Sequence, residues 1–348
     1  MDTNLDEIRV AYDSKICKTN HLLDVLKFLC AVLIVAFHVL WPYRFENVWH
    51  FYCQEWFFRF SVPIFFISSG MFFQQMERKK QKKYLQRIFI LYVICTLIYL
   101  YKIIELYAYN LDMLFNQLIF GYYHLWYLSA LLFTLCISYF FNKWFSFSSH
   151  KKLYLVFIIF LLMFGVFFDE YYKLFENNSL NKIVSLLDYV GTTRNGLFMA
   201  FPLFSIGRFV AEYKSNLVIV KLRWYVILLI LSFVLSFLES IFLCNNIGYF
   251  VSCDLTVFNW IPAILFVIIT FYFKVEFLHK ISPLLRKIST VVYIIHALIL
   301  ILLEDVWNVD TWTIYWEKFF IVLISSLVIS ITIVFLMDII KIKQKNKL

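Results

Sequence analysis

The chain has 348 residues, of which 62% are hydrophobic and 16% charged, and its formal net charge is +9. Soluble domains average about 45–50% apolar and about 25% charged residues, so the composition excludes a water-soluble globular protein. It predicts an all-α protein that crosses the lipid bilayer several times. The basic residues concentrate in alternate segments between apolar runs, as in cytoplasmic loops, so the net charge does not indicate nucleic-acid binding.

Ten apolar runs are long enough, or nearly long enough, to cross a bilayer as helices. They lie at residues 22–41, 53–76, 88–108, 124–141, 152–168, 196–213, 222–243, 257–275, 288–304 and 318–340. Residues 22–340 are therefore predicted to form one membrane domain, after a hydrophilic segment (1–21) and before a basic tail (341–348). No small-residue cleavage site follows the first run, which predicts that this helix is retained.

The distribution of Lys and Arg predicts the orientation. With a cytoplasmic N-terminus, the cytoplasmic segments hold 23 of these residues and the outer segments hold four. Cytoplasmic loops are enriched in Lys and Arg, so both termini are predicted to be inside. The densest basic patch, Glu77–Arg87, is attributed to this topology and to anionic lipid headgroups.

The first apolar run carries Asp24, Lys27 and His38. On a helix, Lys27 and His38 lie about 20° apart around the axis and about 16 Å apart along it, and Asp24 lies about 40° from the same line. Such a polar stripe must face other helices or a water-filled cavity, and its spacing suits the two ends of an extended ligand. The alternative for Asp24 and Lys27 is a simple ion pair.

The second run places Glu55 and Arg59 four residues apart, in the order that favours an ion pair on one helix face. The functional alternative is a buried arginine in the outer half of the bilayer, at a depth similar to that of His38. Farther along, Pro63 is predicted to interrupt the helical hydrogen bonds.

Small and polar residues later in the chain are further candidates. Ser68, Ser69 and Gly70 permit close helix approach. The aromatic belt at a membrane interface explains Trp126, and leaves His124 open between a structural and a functional role.

Arg194 and Asn195 are predicted to cap an outer helix start, after which Pro202 and Gly207 interrupt the span, as in helices that line cavities. His296 is predicted to lie in mid-membrane and to face a cavity or to pack by hydrogen bonding. The candidate cavity-lining residues are Glu55, Ser69, His124, Trp126, Asn195 and His296.

The order of these segments resembles the membrane acyltransferase-3 family. The segments are a first helix with a basic residue, ten intervening positions and a His, then VPIFFISSG, HLWYL, RNGLF and STVVYIIH. The resemblance extends over about residues 20–340, so 22–340 is expected to be an acyltransferase-3-like transmembrane domain.

The resemblance implies transfer of an acyl group, usually acetyl, from cytoplasmic acetyl-CoA to a hydroxyl of an extracytoplasmic glycan or cell-envelope polymer. It implies the plasma membrane of a bacterial cell, acyl-CoA and the glycan as partners, and neither a tightly bound cofactor nor a metal. His38 is expected to be the catalytic base, and Lys27, with Asp24 on the same face, to hold the donor. The family usually has Arg at the position of Lys27. Lys keeps the positive charge but lacks the planar guanidinium, which can bind a phosphate through two N–H groups at once.

Arg59 is then expected to stabilise the oxyanion that develops during transfer. Whether the acyl group passes through Ser68 or Ser69 is left open. The second function class is a transporter or exporter of a small solute or polysaccharide, because interrupted spans, a mid-membrane His and a polar stripe also suit a transport path.

Overall fold

The computed structural model describes residues 20–40, 51–140, 150–175, 178–189, 191–248, 252–306 and 315–345. Within these ranges every regular element is a helix, which confirms the all-α prediction. The helices are α1 (His21–Leu40), α2 (Ser61–Gln74), α3 (Arg78–Tyr107), α4 (Leu111–Phe120), α5 (Trp126–Phe140), α6 (Lys151–Asp169), α7 (Asn178–Asp188), α8 (Phe201–Glu212), α9 (Lys214–Ile219), α10 (Leu222–Ile247), α11 (Ile261–Ile269), α12 (Leu278–Val306) and α13 (Tyr315–Lys345).

Eight helices of the described residues are long and apolar enough to cross a membrane. They correspond to eight of the ten predicted runs. The two runs that fall short are 196–213 and 257–275, where a π-helical turn (Gly196–Ala200) precedes α8 and a 3₁₀ turn (Thr270–Tyr272) follows α11. The count of ten spans and the orientation of the termini stay predictions.

The chain forms two compact units, each assembled from segments that are distant in sequence. The first unit comprises residues 1–50, 213–227 and 265–348, and the second comprises 51–212 and 228–264. In the first unit α1 packs against α12 and α13, which also pack against each other. In the second unit the most extensive packing is between α2 and α8.

The contact between α2 and α8 depends on two glycines. A Cβ atom on Gly70 would overlap the carbonyl oxygen of Phe204, and a Cβ atom on Gly207 would overlap that of Ile67. The close approach predicted at Gly70 is therefore confirmed. The predicted interruption at Gly207 is wrong, because α8 continues through it; the missing side chain serves helix packing.

The predicted interruption at Pro63 is wrong, because the break in regular helix lies before the proline, at residues 58–60. A π-helical turn (Cys53–Phe57) is followed by three residues outside regular helix, and α2 begins at Ser61. Pro63 therefore lies in the first turn of α2, where its missing N–H has no helical acceptor in any case.

The basic patch Glu77–Arg87 is not a loop between two helices. The structure begins α3 at Arg78, so the basic residues form the first turns of a 30-residue helix. Lys and Arg are good helix formers, which allows the apolar span to extend into this charged segment.

Candidate active site

The polar stripe of α1 faces α12, and the two helices run parallel. Near their starts, His21 Nδ1 lies 2.6 Å from Ser282 Oγ. Near the end of α1, the ring centroids of His38 and His296 are 5.3 Å apart. Because the contacts advance in the same direction along both helices, polar side chains of α1 and α12 meet near both ends of the interface. We refer to this interface, from His21 and Ser282 to His38 and His296, as the seam.

Two imidazoles meet at the far end of the seam. His296 is fully buried, and its Nδ1 lies 3.0 Å from the carbonyl oxygen of Val292. A carbonyl oxygen can only accept, so Nδ1 carries the proton and donates it to this bond. In the neutral ring Nε2 is then the basic nitrogen. The His38 ring, tilted by 36° to that of His296, is half-buried beside it. The structure thus brings His38 and His296, which are both candidates from the sequence, into ring contact.

Charged groups meet at the starting end of the seam. Asp24 is only 2% exposed, and Arg286 Nε from α12 lies 3.8 Å from its Oδ1 atom. Lys27 interacts electrostatically with both Asp24 and Arg286. The structure thus brings Asp24 and Lys27 into one cluster, as the stripe predicts, and adds Arg286.

Sequence reasoning missed Arg286, which was counted among the cytoplasmic loop residues. One signal could have identified it. On α1 a basic residue precedes a histidine by eleven positions, and on α12 Arg286 precedes His296 by ten. On two parallel helices these spacings, about 16 Å and about 15 Å, place the cations at one level and the imidazoles at another.

Arg59 is the centre of a charge cluster in the second unit. Its Nη2 atom lies 2.5 Å from Glu55 Oε2, which confirms the predicted ion pair. Its Nη1 atom contacts the carboxylate of Asp254, and Arg194 Nη1 lies 2.7 Å from the other oxygen of that carboxylate. Asp254 was missed from sequence, because it follows Arg59 by 195 positions.

The segment that carries Asp254 is held by carboxylates from several helices. We refer to residues 252–258, which the predicted orientation places on the outer side of the membrane, as the outer loop. Its backbone N–H groups donate to four different side chains: Ser252 to Glu170 (2.9 Å), Cys253 to Glu55 (2.8 Å), Leu255 to Asp169 (3.0 Å), and Val257 and Phe258 to Glu239 (2.6 and 2.9 Å). Charge-assisted bonds of this type are shorter and stronger than neutral ones, so they fix the backbone of the loop.

Burial and the charges around the outer loop shift the pKa values of Asp254 and Glu170. Burial alone would raise the pKa of Asp254, but the positive charges of Arg194 and Arg59 outweigh it and hold this pKa below its usual value. Burial raises the pKa of Glu170, although the hydrogen bonds from Lys173 and from the Ser252 amide oppose the shift. The cluster is therefore most stable with Asp254 ionised.

The aromatic candidates also belong to the second unit. His124 is buried at 2% exposure, and its ring meets the edge of Tyr99 with centroids 5.1 Å apart. Trp126 is half-buried, with its ring centroid 6.4 Å from that of Phe66. Both side chains pack among other aromatic rings.

The two remaining candidates make local hydrogen bonds in the second unit. Asn195 Oδ1 accepts from the N–H groups of Leu197 (2.8 Å) and Phe198 (3.0 Å), which confirms the cap predicted for Asn195. The side chain of Arg194 pairs with Asp254 instead. Ser69 is half-buried, with the Tyr84 hydroxyl 3.4 Å from its Oγ atom. A role for these residues in lining a cavity stays a prediction.

The membrane-length helices and the polar seam define a polytopic membrane protein with ionisable groups between its helices. Comparison with known proteins assigns the class. A family model described as an acyltransferase domain, that of the acyltransferase-3 family, matches residues 20–335. The chain therefore belongs to the acyltransferase-3 family, which confirms the resemblance and indicates a membrane acyltransferase.

Two curated proteins of Enterococcus faecalis, each described as an amino-acid racemase, are similar to this chain. One is 28% identical over 212 residues, which cover 56% of this chain and 28% of the relative. The other is 25% identical over 324 residues, which cover 82% of this chain and 41% of the relative. The chain thus spans less than half the length of the curated relatives it matches. No solved structure matches it significantly.

Proposed function

We propose that the protein transfers an acyl group, specifically acetyl, from cytoplasmic acyl-CoA to a hydroxyl group of an extracytoplasmic glycan or cell-envelope polymer. One observation carries the proposal: a single helix seam has cations at its start and two imidazoles about 16 Å farther along. In the predicted orientation the cations lie toward the cytoplasm, where the donor is, and the imidazoles lie toward the acceptor. Family membership supports the reaction type.

The proposed step uses His38 as a general base. Its neutral imidazole takes the proton from the acceptor hydroxyl while the hydroxyl oxygen attacks the thioester carbon. A new ester C–O bond forms and the C–S bond breaks. The coenzyme A thiolate then takes the proton back from the imidazolium of His38 and leaves as the thiol.

His296 is proposed as a positioning residue for His38. Its Nδ1 donates to Val292, so its own ring orientation is fixed by the helix. Its Nε2 atom is unprotonated and can accept a hydrogen bond from an N–H group of a neighbouring ring. A histidine held in this way favours one tautomer and one orientation of His38, which is what a general base requires.

We assign no catalytic step to Arg59. Its predicted role in oxyanion stabilisation stays a prediction, and its contacts with Glu55 and Asp254 support a structural role. A guanidinium already neutralised by two carboxylates has less charge to offer to an oxyanion. We propose that Arg59 holds the outer loop in place.

The test uses membranes or nanodiscs containing the full chain and acetyl-CoA labelled in the acetyl group. We expect label in a hydroxyl-bearing envelope polymer and one coenzyme A thiol released per acetyl group transferred. His38→Ala should insert to the same level and transfer no label above background. An active His38→Ala protein would rule out the proposed base.

The transport alternative is tested in the same preparation. It is favoured by the Lys at position 27, where the family usually has Arg, and the names of the two relatives make an amino acid the solute to test. Accumulation of a labelled amino acid in proteoliposomes without consumption of acetyl-CoA would support transport and contradict acyl transfer.

A further inference from the structure

We infer that the hydroxyl groups of Ser330 and Ser326 on α13 are oxyanion donors. They donate hydrogen bonds to the carbonyl oxygen of the donor thioester as that oxygen becomes negatively charged during transfer. The inference rests on the proposed function, because it names further residues for the same chemical step. It also fills the role predicted for Arg59, which contacts two carboxylates instead.

Both hydroxyl groups are buried without a hydrogen-bond partner. Ser326 and Ser330 are each 0% exposed, and among the residues that the structure describes neither Oγ atom has a partner. A buried hydroxyl that makes no hydrogen bond destabilises the folded protein. Small residues permit close helix packing, but alanine would serve that purpose without this cost. Helix packing therefore does not explain why both residues carry a hydroxyl.

Another hydroxyl on the same helix shows the usual arrangement. Thr332 is exposed, and its Oγ1 donates to the carbonyl oxygen of Val328 at 2.9 Å. A bond to the carbonyl four residues earlier is a common way to satisfy a hydroxyl within a helix. Ser326 and Ser330 make no such bond, so their O–H groups stay available as donors between the helices.

The two serines lie on the face of α13 that packs against the seam. They are four residues apart and share one side of the helix with Val322 and Val334, which are also buried. In the first unit α13 packs against both α1 and α12, the two helices that form the seam. The buried face of α13, with its two hydroxyls, therefore lies against these helices.

One contact between α12 and α13 sets the depth of the serines. Lys287, near the start of α12, lies 2.7 Å from Asp338, near the end of α13. Because only a short connection joins the two helices, they run antiparallel. His296 follows Lys287 by nine residues, or about 14 Å along α12. Ser330 and Ser326 precede Asp338 by eight and twelve residues, or about 12 Å and about 18 Å. The level of the imidazoles thus falls between the two serines and is nearer to Ser330.

Hydroxyl donors at the level of a general base match the charge that develops in acyl transfer. When the acceptor oxygen attacks, the carbonyl oxygen of the thioester becomes an oxyanion, and the proton passes to His38. The C=O bond re-forms as the C–S bond breaks, and the thiolate takes the proton back from His38. Serine hydroxyls can form oxyanion holes, and their hydrogen bonds are stronger in a buried site than in water. Since the oxyanion is a better acceptor than the ground-state carbonyl, these bonds favour the transition state.

The experiment measures the release of coenzyme A thiol from acetyl-CoA by the full chain. It is run in membranes that hold the envelope polymer as acceptor, and in nanodiscs, where water is the acceptor. We expect Ser330→Ala to lower kcat about 100-fold with KM for acetyl-CoA unchanged, because the lost donor acts in the transition state. Ser326→Ala should lower kcat by a smaller factor, about 10-fold, because Ser326 lies farther from the level of the imidazoles.

Stability separates this role from a structural one. Removal of a buried hydroxyl that has no partner should leave the free energy of unfolding in detergent unchanged or raise it. The matched control is Thr332→Val, which removes a hydroxyl two residues from Ser330 that is exposed and bonded within α13. This variant should keep the kcat of the wild type.

Three results would overturn the inference and leave the proposed function standing. The first is a wild type that transfers acetyl together with a Ser326→Ala/Ser330→Ala variant of the same kcat. The second is a rise in KM at constant kcat, which would assign the hydroxyls to binding of the donor in the ground state. The third is a loss of kcat that only follows a loss of folded protein. A wild type that releases no thiol in either preparation would instead overturn the proposed function, and this inference with it.

Discussion

The two clusters of charge differ in how deeply their arginines are buried. Arg59, 8% exposed, contacts two carboxylates, and one of these also binds Arg194. In the seam, Arg286 Nε lies 3.8 Å from the carboxylate of Asp24, and the Arg286 side chain is 46% exposed. A buried cation held between carboxylates stabilises the fold, whereas a partly exposed cation remains accessible to a ligand. Burial of a charge by itself therefore does not identify a functional site.

The comparison predicts that changes in the seam affect catalysis and changes around Arg59 affect stability. The largest effect is expected for His38→Ala. Loss of a general base should lower kcat by about 10²- to 10⁴-fold, because the hydroxyl proton has no acceptor. The free energy of unfolding in detergent should change little, since His38 is only half-buried. A kcat within a few-fold of the wild type would show that the imidazole pair is structural.

The next largest effect is expected for Arg59→Ala. It leaves Glu55 and Asp254 as buried carboxylates without their shared cation, which should lower the free energy of unfolding by about 3–5 kcal/mol. Chemical denaturation in detergent measures this loss.

The control for Arg59 is Lys80→Ala. Lys80 pairs with Glu77 at 3.6 Å on an exposed surface, so its removal should cost at most about 1 kcal/mol. If Arg59→Ala instead kept its stability and lost acyl transfer, the catalytic role predicted from sequence would be supported and the comparison between the clusters would fail.

A smaller effect on catalysis is expected at His296. His296→Leu should lower kcat about 10- to 100-fold through misplacement of His38, with KM for acetyl-CoA unchanged. His296→Gln keeps a polar atom near the position of Nε2 and should retain more activity than His296→Leu. Equal loss in both variants, or a change in KM alone, would contradict the positioning role.

The smallest effect is a pH dependence of stability in the outer loop. Arg194 and Arg59 hold the pKa of Asp254 below its usual value, so the folded protein releases this proton more readily than the unfolded chain. The resulting stabilisation is present above the unfolded pKa of about 3.9 and is lost as the pH falls toward the lower folded pKa. Unfolding midpoints measured from pH 7 to pH 3 should therefore fall more steeply for the wild type than for Asp254→Asn. Parallel curves would contradict this assignment.

The sequence by itself determined the features that depend on composition and short spacing. It determined the membrane class, eight of the ten helical runs, the polar stripe on α1 and the ion pair between Glu55 and Arg59. Each follows from helix periodicity or from hydrophobic length, which are local properties.

The tertiary structure decided which distant residues complete each cluster. Asp254 reaches Arg59 across 195 positions, and Arg286 reaches Asp24 from another helix. It also showed that Gly207 serves packing, because its contact lies on a neighbouring helix. Periodicity tells which side of a helix is polar, but not which helix lies against it. The set of charges that meet in one cluster is therefore known only once the helices are packed.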